Sequence, residues 1–233
     1  MTTLSSIASL QVEEEAYLIQ KITAYPQQRW KQLANRRRGE LTSKNVLVSQ
    51  PMPPFVETYP DIIDRLKSLA FTPAGSPHGK PNHIIIIPHE DGPAYFPLVA
   101  TISLGSHCTF HYYQYSPQSD GEVGVGGRSI DPTPIMTTLL EPRSVVITKD
   151  ALYSSHLHAI REIEEDAITA SGDPKVPPVL SDLGVPIANW DRVTGTDALR
   201  VMSEGGVLKR TARYSLTCRD VEKVAQLKAF MKR

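Results

Sequence analysis

Leu98–Tyr115 reads LVATISLGSHCTFHYYQY, with a run rich in β-branched and aromatic residues on either side of Gly105-Ser106. Runs of this kind, bounded by turn residues, predict β-strands. Similar runs recur before and after this stretch without long helical patterns between them, which favours an antiparallel sandwich or barrel over a parallel sheet. The predicted strands are residues 84–87, 98–104, 109–115, 136–140, 144–148 and 212–218.

The N-terminal part of the chain has a helical pattern instead. Apolar residues recur at helical spacing over 12–33, and Pro26 is expected to divide this segment into two helices because proline cannot donate the required hydrogen bond. A further helix is predicted over 60–69, where a proline suits the first turn. We therefore predict a mainly β protein with flanking α-helices. Its expected fold is a double-stranded β-helix, or jelly roll, with the N-terminal helices packed on one sheet.

Two segments fit neither pattern. Residues 116–134 are rich in Gly, Ser and Asp and are expected to form a mobile loop. Residues 164–206 carry Gly, Pro and Asp clusters around short apolar pieces. We interpret them as a partly disordered insertion between the last strands, with a short helix near 197–202. The whole chain is expected to be one domain, with a helical, lid-like region over 1–80 and a jelly-roll core over 81–233.

The composition is that of an ordinary globular protein. The chain has 233 residues, of which 40% are hydrophobic, and this is enough for a sizeable core. It has no apolar run long enough to cross a bilayer, no features of a secretory signal and only two cysteines. We therefore expect an intracellular monomer, in the cytoplasm and/or nucleus, without membrane association. The formal net charge of zero argues against a uniformly basic surface for nucleic acid but allows a local basic patch.

His89 and Asp91 are candidate metal ligands, in the sequence Pro88-His89-Glu90-Asp91-Gly92. Two residues apart at a strand end, their side chains project to the same side and can reach one metal ion. A second histidine from a distant strand would complete the two-histidine, one-carboxylate set of non-haem iron(II) centres. Taken alone the triplet is a weak signal, because chance occurrences are common and a polar surface turn is the simpler interpretation.

The candidates for the second histidine are His156 and His158, in Tyr153-Ser154-Ser155-His156-Leu157-His158. Because one residue separates them, they could share one face of a strand, and their spacing does not choose between them. A histidine in such a position is more often packed or facing solvent than bound to a metal.

A third polar cluster lies near the C-terminus, in Arg213-Tyr214-Ser215-Leu216-Thr217-Cys218-Arg219. In a strand, the four polar residues at alternate positions lie on one face. Polar residues on the inner face of a barrel are unfavourable unless they bind a ligand, and a dicarboxylate would satisfy both guanidinium groups through charge-assisted hydrogen bonds. The alternative, equally compatible with this segment alone, is a face that contacts water.

Together these features resemble the AlkB family of Fe(II)- and 2-oxoglutarate-dependent dioxygenases, and within it the branch of alkB homologue six. The resemblance covers most of the chain, is weak in the N-terminal helices and is absent from 164–206. The matching stretches also follow the order that they have in the family. They are Pro88–Pro93, Thr101–His107, Leu139–Ser144, His158–Ile160 and Arg213–Arg219.

The resemblance implies a ligand set for the iron and for the cosubstrate. By it, iron(II) is held by His89, Asp91 and His158, with His158 preferred over His156. Arg213 is implied to bind the remote carboxylate of 2-oxoglutarate, and Arg219 to lie near the cosubstrate and the reacting centre. Ser215 lies between the two arginines on the same predicted strand face, and we include it among the candidate cosubstrate ligands.

The resemblance also implies a reaction and a substrate. The family uses iron(II), 2-oxoglutarate and oxygen to hydroxylate a C–H bond, and an N-alkyl group on a nucleobase is then released as an aldehyde. The implied partner is DNA or RNA with an alkylated base, which must be flipped out of a duplex. Arg36, Arg37 and Arg38 lie where this branch has a basic segment near nucleic acid, although a solvated helix end explains them equally well. A protein side chain is an alternative substrate, because the fold does not determine the function.

The chain departs from the family pattern just before His89. The family carries there an Asn-x-Tyr element that helps to hold 2-oxoglutarate, whereas here Asn82-His83 is followed almost at once by Ile84–Ile87. Three explanations stay open. In the first, the sequence comes from an imperfect gene model or splice form. In the second, the protein is a degenerate homologue that acts as a nucleic-acid- or protein-binding module. In the third, other residues replace the missing contacts. The candidate replacements are Tyr95, Tyr112 and Tyr153.

A smaller departure is His111, which lies on a predicted strand where close relatives carry an acidic residue.

Overall fold

The structure is a computed structural model, and it describes residues 10–24, 47–49, 52–69, 71, 76–85, 95–116 and 129–226. In these ranges the helices are α1 (Val12–Ala24), α2 (Pro54–Glu57), α3 (Ile62–Leu69), α4 (Ala151–Ser154) and α5 (Thr196–Glu204). The strands are β1 (Leu47–Ser49), β2 (His83–Ile85), β3 (Tyr95–Leu104), β4 (Cys108–Tyr113), β5 (Met136–Leu140), β6 (Val145–Lys149), β7 (Leu157–Ala159), β8 (Glu165–Thr169), β9 (Val179–Leu180), β10 (Val185–Pro186), β11 (Gly206–Lys209), β12 (Tyr214–Val221) and β13 (Val224–Gln226).

The described strands pair antiparallel in three sheets, β1 and β13 form a short parallel pair, and the helices are few. This confirms the predicted class, a mainly β protein of the jelly-roll type with flanking helices. The chain divides into two compact units. The first consists of Met1–Leu104, Arg143–Asp150 and Tyr214–Arg233, and the second of Gly105–Pro142 and Ala151–Arg213. The expectation of a single domain is not tested by this division and stays a prediction.

The first unit is built on a four-stranded sheet in the order β2-β12-β3-β6, with every pair antiparallel. Strand β12 lies between β2 and β3, and residues of both its faces are buried from Leu216 to Val221. Apolar side chains of α1, α2 and α3 share one core with this sheet. That core contains Leu18, Ile22, Phe55, Val56, Ile62, Leu66, Ala100, Ile102, Leu104, Val145, Ile147, Leu216 and Cys218.

Helix α1 is described up to Ala24, two residues before Pro26. The helix predicted after Pro26 lies outside the described residues. Helix α3 begins at Ile62 because Asp61 has a φ of 61°, in the left-handed region, and therefore cannot be its first residue.

The second unit contains two sheets. The three-stranded sheet has the order β5-β4-β7, with both pairs antiparallel. The segment predicted as a mobile loop, 116–134, lies mostly outside the described residues. The strand-like bridge between Tyr115 and Ile130 joins its two ends.

The expectation of partial disorder over 164–206 is wrong. All of these residues are described, and β8–β11 form a four-stranded antiparallel sheet in the order β10-β9-β8-β11. The helix expected near 197–202 is confirmed as α5. Strands of two to five residues are too short to give a periodic signal among Gly and Pro clusters. The core of this segment contains Leu139, Ile168, Leu180, Val185, Ile187, Val193, Ala198, Val201, Met202 and Leu208.

Two side chains attach this segment to the end of β5. The amide of Asn189 exchanges two hydrogen bonds of 2.8 Å with the backbone N–H and C=O of Leu139. The carboxylate of Glu141 accepts hydrogen bonds from the backbone N–H groups of Thr194 at 2.9 Å and Gly195 at 2.7 Å. Since these groups lie immediately before α5, the carboxylate also interacts favourably with the helix dipole.

Candidate functional site

The predicted site residues are only partly within the described structure. His89, Asp91 and the Arg36–Arg38 cluster lie outside the described residues. Among the residues that are described, no three His, Cys, Asp or Glu side chains are grouped closely enough to hold a metal ion. His158 and Arg213 belong to the second unit, and Ser215 and Arg219 belong to the first.

His158 is placed by a short edge strand. It lies in the middle of β7, half-buried, and pairs directly with Tyr112 of β4. Its imidazole is stacked on the ring of Phe110, with centroids 5.2 Å apart and an interplanar angle of 21°. The ring of Tyr112 meets the imidazole edge-on at 6.4 Å. These three side chains therefore form one aromatic group beside β4 and β7.

His156 is held in a different way. It precedes β7 rather than sharing a strand face with His158, so the expectation from their spacing is wrong for this pair. Its Nδ1 donates to the carbonyl of Ala151, in the short helix α4, at 2.8 Å. The turn that ends α4 therefore determines the orientation of His156, and spacing along the sequence does not reveal this turn.

The C-terminal strand begins later than predicted. β12 starts at Tyr214, so Arg213 precedes the strand instead of forming part of its alternating face. The reason is that residues just before it are held elsewhere in the second unit: the backbone N–H of Thr211 donates to Ser106 Oγ at 2.9 Å. On β12, Ser215 is half-buried and Thr217 and Arg219 are buried. The alternative of a face open to water is therefore wrong for Thr217 and Arg219.

Arg219 is a fully buried cation. Its exposed fraction is 0%, and burial lowers the pKa of its guanidinium to about 9, which leaves it charged at neutral pH. The pairing of β12 with β3 shifts register between Arg219 and Val221, which marks a β-bulge or a similar irregularity. Bulges re-aim side chains and are frequent beside functional sites.

Asp220, next to Arg219, is a buried residue that sequence patterns did not single out. Its carboxylate accepts hydrogen bonds from Ser76 Oγ, from the backbone N–H of His78 at 2.8 Å and from His78 Nδ1 at 2.6 Å. It therefore fixes the turn before β2 onto the end of β12. An acidic residue directly after Arg219, just beyond the predicted strand 212–218, was the available signal.

Asn82 lies where the sequence departs from the family pattern, and its side chain is hydrogen-bonded to β12. Its side-chain amide donates to the carbonyl of Val221 at 2.9 Å and accepts from the Val221 N–H at 2.8 Å, so it extends the pairing of β12. Of the three tyrosines considered as replacements, Tyr112 is fully buried and lies directly opposite His158. Tyr153 is half-buried on α4, and the side chain of Tyr95 lies outside the described residues.

A buried polar network in the second unit was also missed. Asp166 accepts two hydrogen bonds of 2.7 Å from Arg210 and one of 2.9 Å from Thr109 Oγ1, and His107 Nε2 lies 3.2 Å from it. Burial alone would raise the pKa of Asp166, but the hydrogen bonds from His107, Arg210 and Thr109 outweigh it and hold the pKa well below its usual range. The network joins β8 to β4 and to the chain after β11.

His111 extends this network on β4. Its Nε2 lies 3.1 Å from Thr109 Oγ1 and its Nδ1 lies 2.9 Å from Thr137 Oγ1. Burial lowers the pKa of the imidazole to about 4, so His111 is neutral at physiological pH. Where an acidic residue was expected, the chain therefore has a neutral hydrogen-bonding side chain.

The chemistry of the available donors fits iron(II). Imidazole and carboxylate suit this ion, while thiolates would favour zinc or iron–sulfur centres. Both cysteines, Cys108 and Cys218, are buried, and burial raises the pKa of each thiol. They are therefore inert thiols and poor candidates for metal ligands. Within the described part of the chain, no helix is long and apolar enough to span a membrane.

Comparison with known proteins supports the resemblance found in the sequence. No known family model matches the chain. A protein of Danio rerio described as "Probable RNA/DNA demethylase ALKBH6" is 29% identical to it over 230 residues, which cover 94% of this chain and 85% of that protein. The antiparallel sheets of both units agree with the same family. The chain is therefore similar to the AlkB-like family, and within it to the branch of alkB homologue six.

Proposed function

We propose that the protein is an Fe(II)- and 2-oxoglutarate-dependent dioxygenase that removes an alkyl group from a nucleobase in RNA or DNA. The observation that carries the proposal is the likeness to the Danio rerio protein, which is described as a probable RNA/DNA demethylase and spans nearly the whole chain. The half-buried His158 imidazole on β7 and the buried guanidinium of Arg219 on β12 support it, because such a site needs a nitrogen ligand and a positive charge.

In this proposal each site residue has a distinct task. His89, Asp91 and His158 would hold the iron ion, which supplies the oxidising chemistry when 2-oxoglutarate and oxygen are bound. Arg213 would bind the remote carboxylate of 2-oxoglutarate with two parallel hydrogen bonds, which lysine cannot reproduce. Arg219, which is buried and charged, would contribute a fixed positive potential in an environment of low dielectric. Ser215 would offer a neutral hydroxyl on the same strand.

The basic cluster Arg36–Arg38 would contact the phosphate backbone, and this contact would be independent of base sequence. A substrate of this kind would be met in the cytoplasm and/or nucleus. Imaging of a fluorescently tagged chain tests that location, and exclusive residence in a membrane-bounded secretory compartment would contradict it.

The direct test is an anaerobic titration of the Fe(II)-loaded protein with 2-oxoglutarate, followed by visible absorption. A weak charge-transfer band that grows to saturation is expected, because the 2-oxo acid chelates the metal. A protein that binds Fe(II) without developing the band would instead favour a non-catalytic AlkB-fold module. A non-catalytic module is a specific alternative, because the Asn-x-Tyr element is absent from the sequence and the Asn82 amide is hydrogen-bonded to Val221 of β12.

The substrate is tested separately. The protein loaded with Fe(II) and 2-oxoglutarate would be incubated with single-stranded RNA and DNA oligonucleotides that carry one methylated base. Loss of the methyl group together with formation of formaldehyde, both measured by mass spectrometry, is expected. Oxidation of 2-oxoglutarate with a protein substrate, but with none of the oligonucleotides, would overturn the nucleic-acid part of the proposal.

A further inference from the structure

The three aromatic rings around His158 are in mutual contact. Phe110 and Tyr112 lie two residues apart on β4, and their rings meet edge-on with centroids 5.2 Å apart and an interplanar angle of 72°. The imidazole of His158 is stacked on Phe110 and meets the edge of Tyr112. Phe110 is only 5% exposed and Tyr112 is fully buried, so the two β4 rings are buried in the second unit.

The backbone alone gives His158 little support. Strand β7 has three residues, of which Leu157 and His158 are half-buried and Ala159 is exposed. In the part of the chain that the structure describes, β7 pairs with β4 and with no other strand. The torsion about the bond between Cβ and the imidazole has a broad energy minimum. A histidine at the edge of a sheet therefore adopts a single ring orientation only if another contact fixes it.

We propose that Phe110, supported by Tyr112, is a positioning residue that fixes the plane of the His158 imidazole for metal binding. This inference rests on the proposed function, which makes His158 a metal ligand. A metal binds the ring nitrogen in the plane of the imidazole, so the face that lies against Phe110 is not used for binding. The stacked contact therefore orders the ring in the free protein through its face and not through its nitrogen atoms.

Phe110 acts through His158 and not on the metal itself. Its phenyl ring has no donor atom, and its effect comes from ordering the imidazole before the metal arrives. Immobilising one side chain costs about 0.5–1.5 kcal/mol, so removing the stacked ring should weaken metal binding about twofold to tenfold. A role in general packing predicts no change in metal affinity as long as the protein stays folded.

The test compares metal affinity in four variants of the full chain. Co(II) is the probe, because it is stable in air, and its affinity is measured by competition with a chromophoric chelator. Phe110→Leu should bind Co(II) about twofold to tenfold more weakly than the wild type. Phe110→Tyr should bind it with wild-type affinity, because the stacked ring is kept. The visible bands of bound Co(II) should broaden in Phe110→Leu and not in Phe110→Tyr.

Phe55→Leu is the matched control. Phe55 is also 5% exposed, but it belongs to the core of the first unit, so the substitution removes a similar apolar area away from His158. It should lower the unfolding temperature and leave Co(II) affinity unchanged. Equal losses of affinity in Phe110→Leu and Phe55→Leu, or wild-type affinity in Phe110→Leu, would overturn the inference.

His158→Ala separates this inference from the proposed function. If His158→Ala loses Co(II) and Phe110→Leu does not, the positioning role fails while the ligand assignment stands. If His158→Ala binds Co(II) like the wild type, the ligand assignment fails and the positioning role fails with it.

A second measurement does not depend on how well the variants fold. In the metal-free wild type, the His158 ring protons should be shifted upfield in the NMR spectrum by the ring current of Phe110. Ring protons at ordinary shifts would overturn the stacked arrangement in solution.

Discussion

Asp166 binds the guanidinium of Arg210 with both of its carboxylate oxygens, Nε donating to Oδ2 and Nη2 donating to Oδ1, each at 2.7 Å. The Asp166 side chain is fully buried, and the Arg210 side chain is 10% exposed. The same guanidinium donates to the carbonyl of Arg161 at 2.7 Å and to Thr109 Oγ1 at 2.8 Å. The pair therefore holds together three separate stretches of the second unit.

We expect Asp166→Asn to destabilise the protein strongly. The substitution leaves the charge of Arg210 buried beside a neutral amide, and breaking a buried pair in this way costs about 3–5 kcal/mol. Urea unfolding at pH 7, followed by fluorescence, measures the loss. The control is Asp182→Asn, which breaks the Arg161–Asp182 pair, whose side chains are 30% and 47% exposed. That change should cost less than about 1 kcal/mol, and similar losses in both variants would contradict the role of the network.

His111 should make the stability of the protein depend on pH. Its pKa is lowered from 6.5 to about 4 in the folded protein by burial, so the unfolded chain takes up a proton first as the pH falls. Stability is therefore complete above pH 6.5 and decreases as the pH falls towards 4, by about 3 kcal/mol at most. The charged groups that act on it are Arg161 and Arg210, which lower the pKa, and Asp166 and Asp182, which raise it.

The measurement is the free energy of unfolding at pH 7, 6, 5 and 4 in the wild type and in His111→Gln, whose amide keeps a hydrogen-bonding group but does not titrate here. The wild type should lose more stability over this range than the variant. Titration of the other histidines contributes equally to both proteins. The contribution of Asp166, whose pKa is below its usual range, begins only near pH 4 and is the same in both proteins. Parallel pH curves for the two proteins would exclude His111 as the source.

The sheets of the core were predictable from the sequence because their strands are long enough to show a pattern. Met136–Leu140 has the bounds that the sequence predicts, and Leu98–Leu104 lies within β3. The small sheet of the second unit was not predictable. Val179–Leu180 and Val185–Pro186 have two residues each, and a strand of that length shows no alternation.

The candidate site was predictable in its residue types but not in its supporting contacts. His158 and Arg219 carry recognisable motifs, whereas Asp166 and Arg210 are 44 residues apart and belong to no local pattern. Their pairing is decided by which strands become neighbours. A cue was present in Thr109-Phe110-His111, where polar residues alternate with an aromatic one, and this alternation predicts one polar and one apolar face.

Gly105 should tolerate no side chain. Its φ is 82°, and a Cβ there would lie 2.5 Å from the carbonyl oxygen of Ala212, in backbone that leads directly to Arg213. Gly184 is a matched control, with a φ of 63° and no heavy atom within 4 Å of the position that a Cβ would take. Gly184→Ala should cost about 1–2 kcal/mol from the left-handed backbone alone. Gly105→Ala should lower the free energy of unfolding, measured with urea, clearly more than Gly184→Ala does, since the backbone must also move. Equal losses would show that the backbone at Ala212 moves without a measurable energetic cost.

His89→Ala and Asp91→Ala should each abolish iron retention with little loss of fold, because ligands at an open metal site are not part of the core. The iron content of the purified variants, measured by atomic emission, tests this, and circular dichroism checks that they are folded. Glu90→Ala, between the two residues, is the matched control and should retain iron. Unchanged iron in either of the first two variants would remove that residue from the metal site.

Arg213→Ala should weaken 2-oxoglutarate binding far more than metal binding. A guanidinium that donates two parallel hydrogen bonds to a carboxylate contributes about 1.5–3 kcal/mol, which corresponds to a loss of about tenfold to more than a hundredfold in affinity. Arg213→Lys keeps the charge but loses the paired geometry, so its affinity for 2-oxoglutarate should be intermediate.

Anaerobic calorimetry with Mn(II)-loaded protein measures the dissociation constant of 2-oxoglutarate without turnover. Arg200→Ala, at an exposed position on α5, is the control and should bind like the wild type. If Arg213→Ala also binds like the wild type, Arg213 does not hold the cosubstrate, and the buried Arg219 becomes the residue to test next.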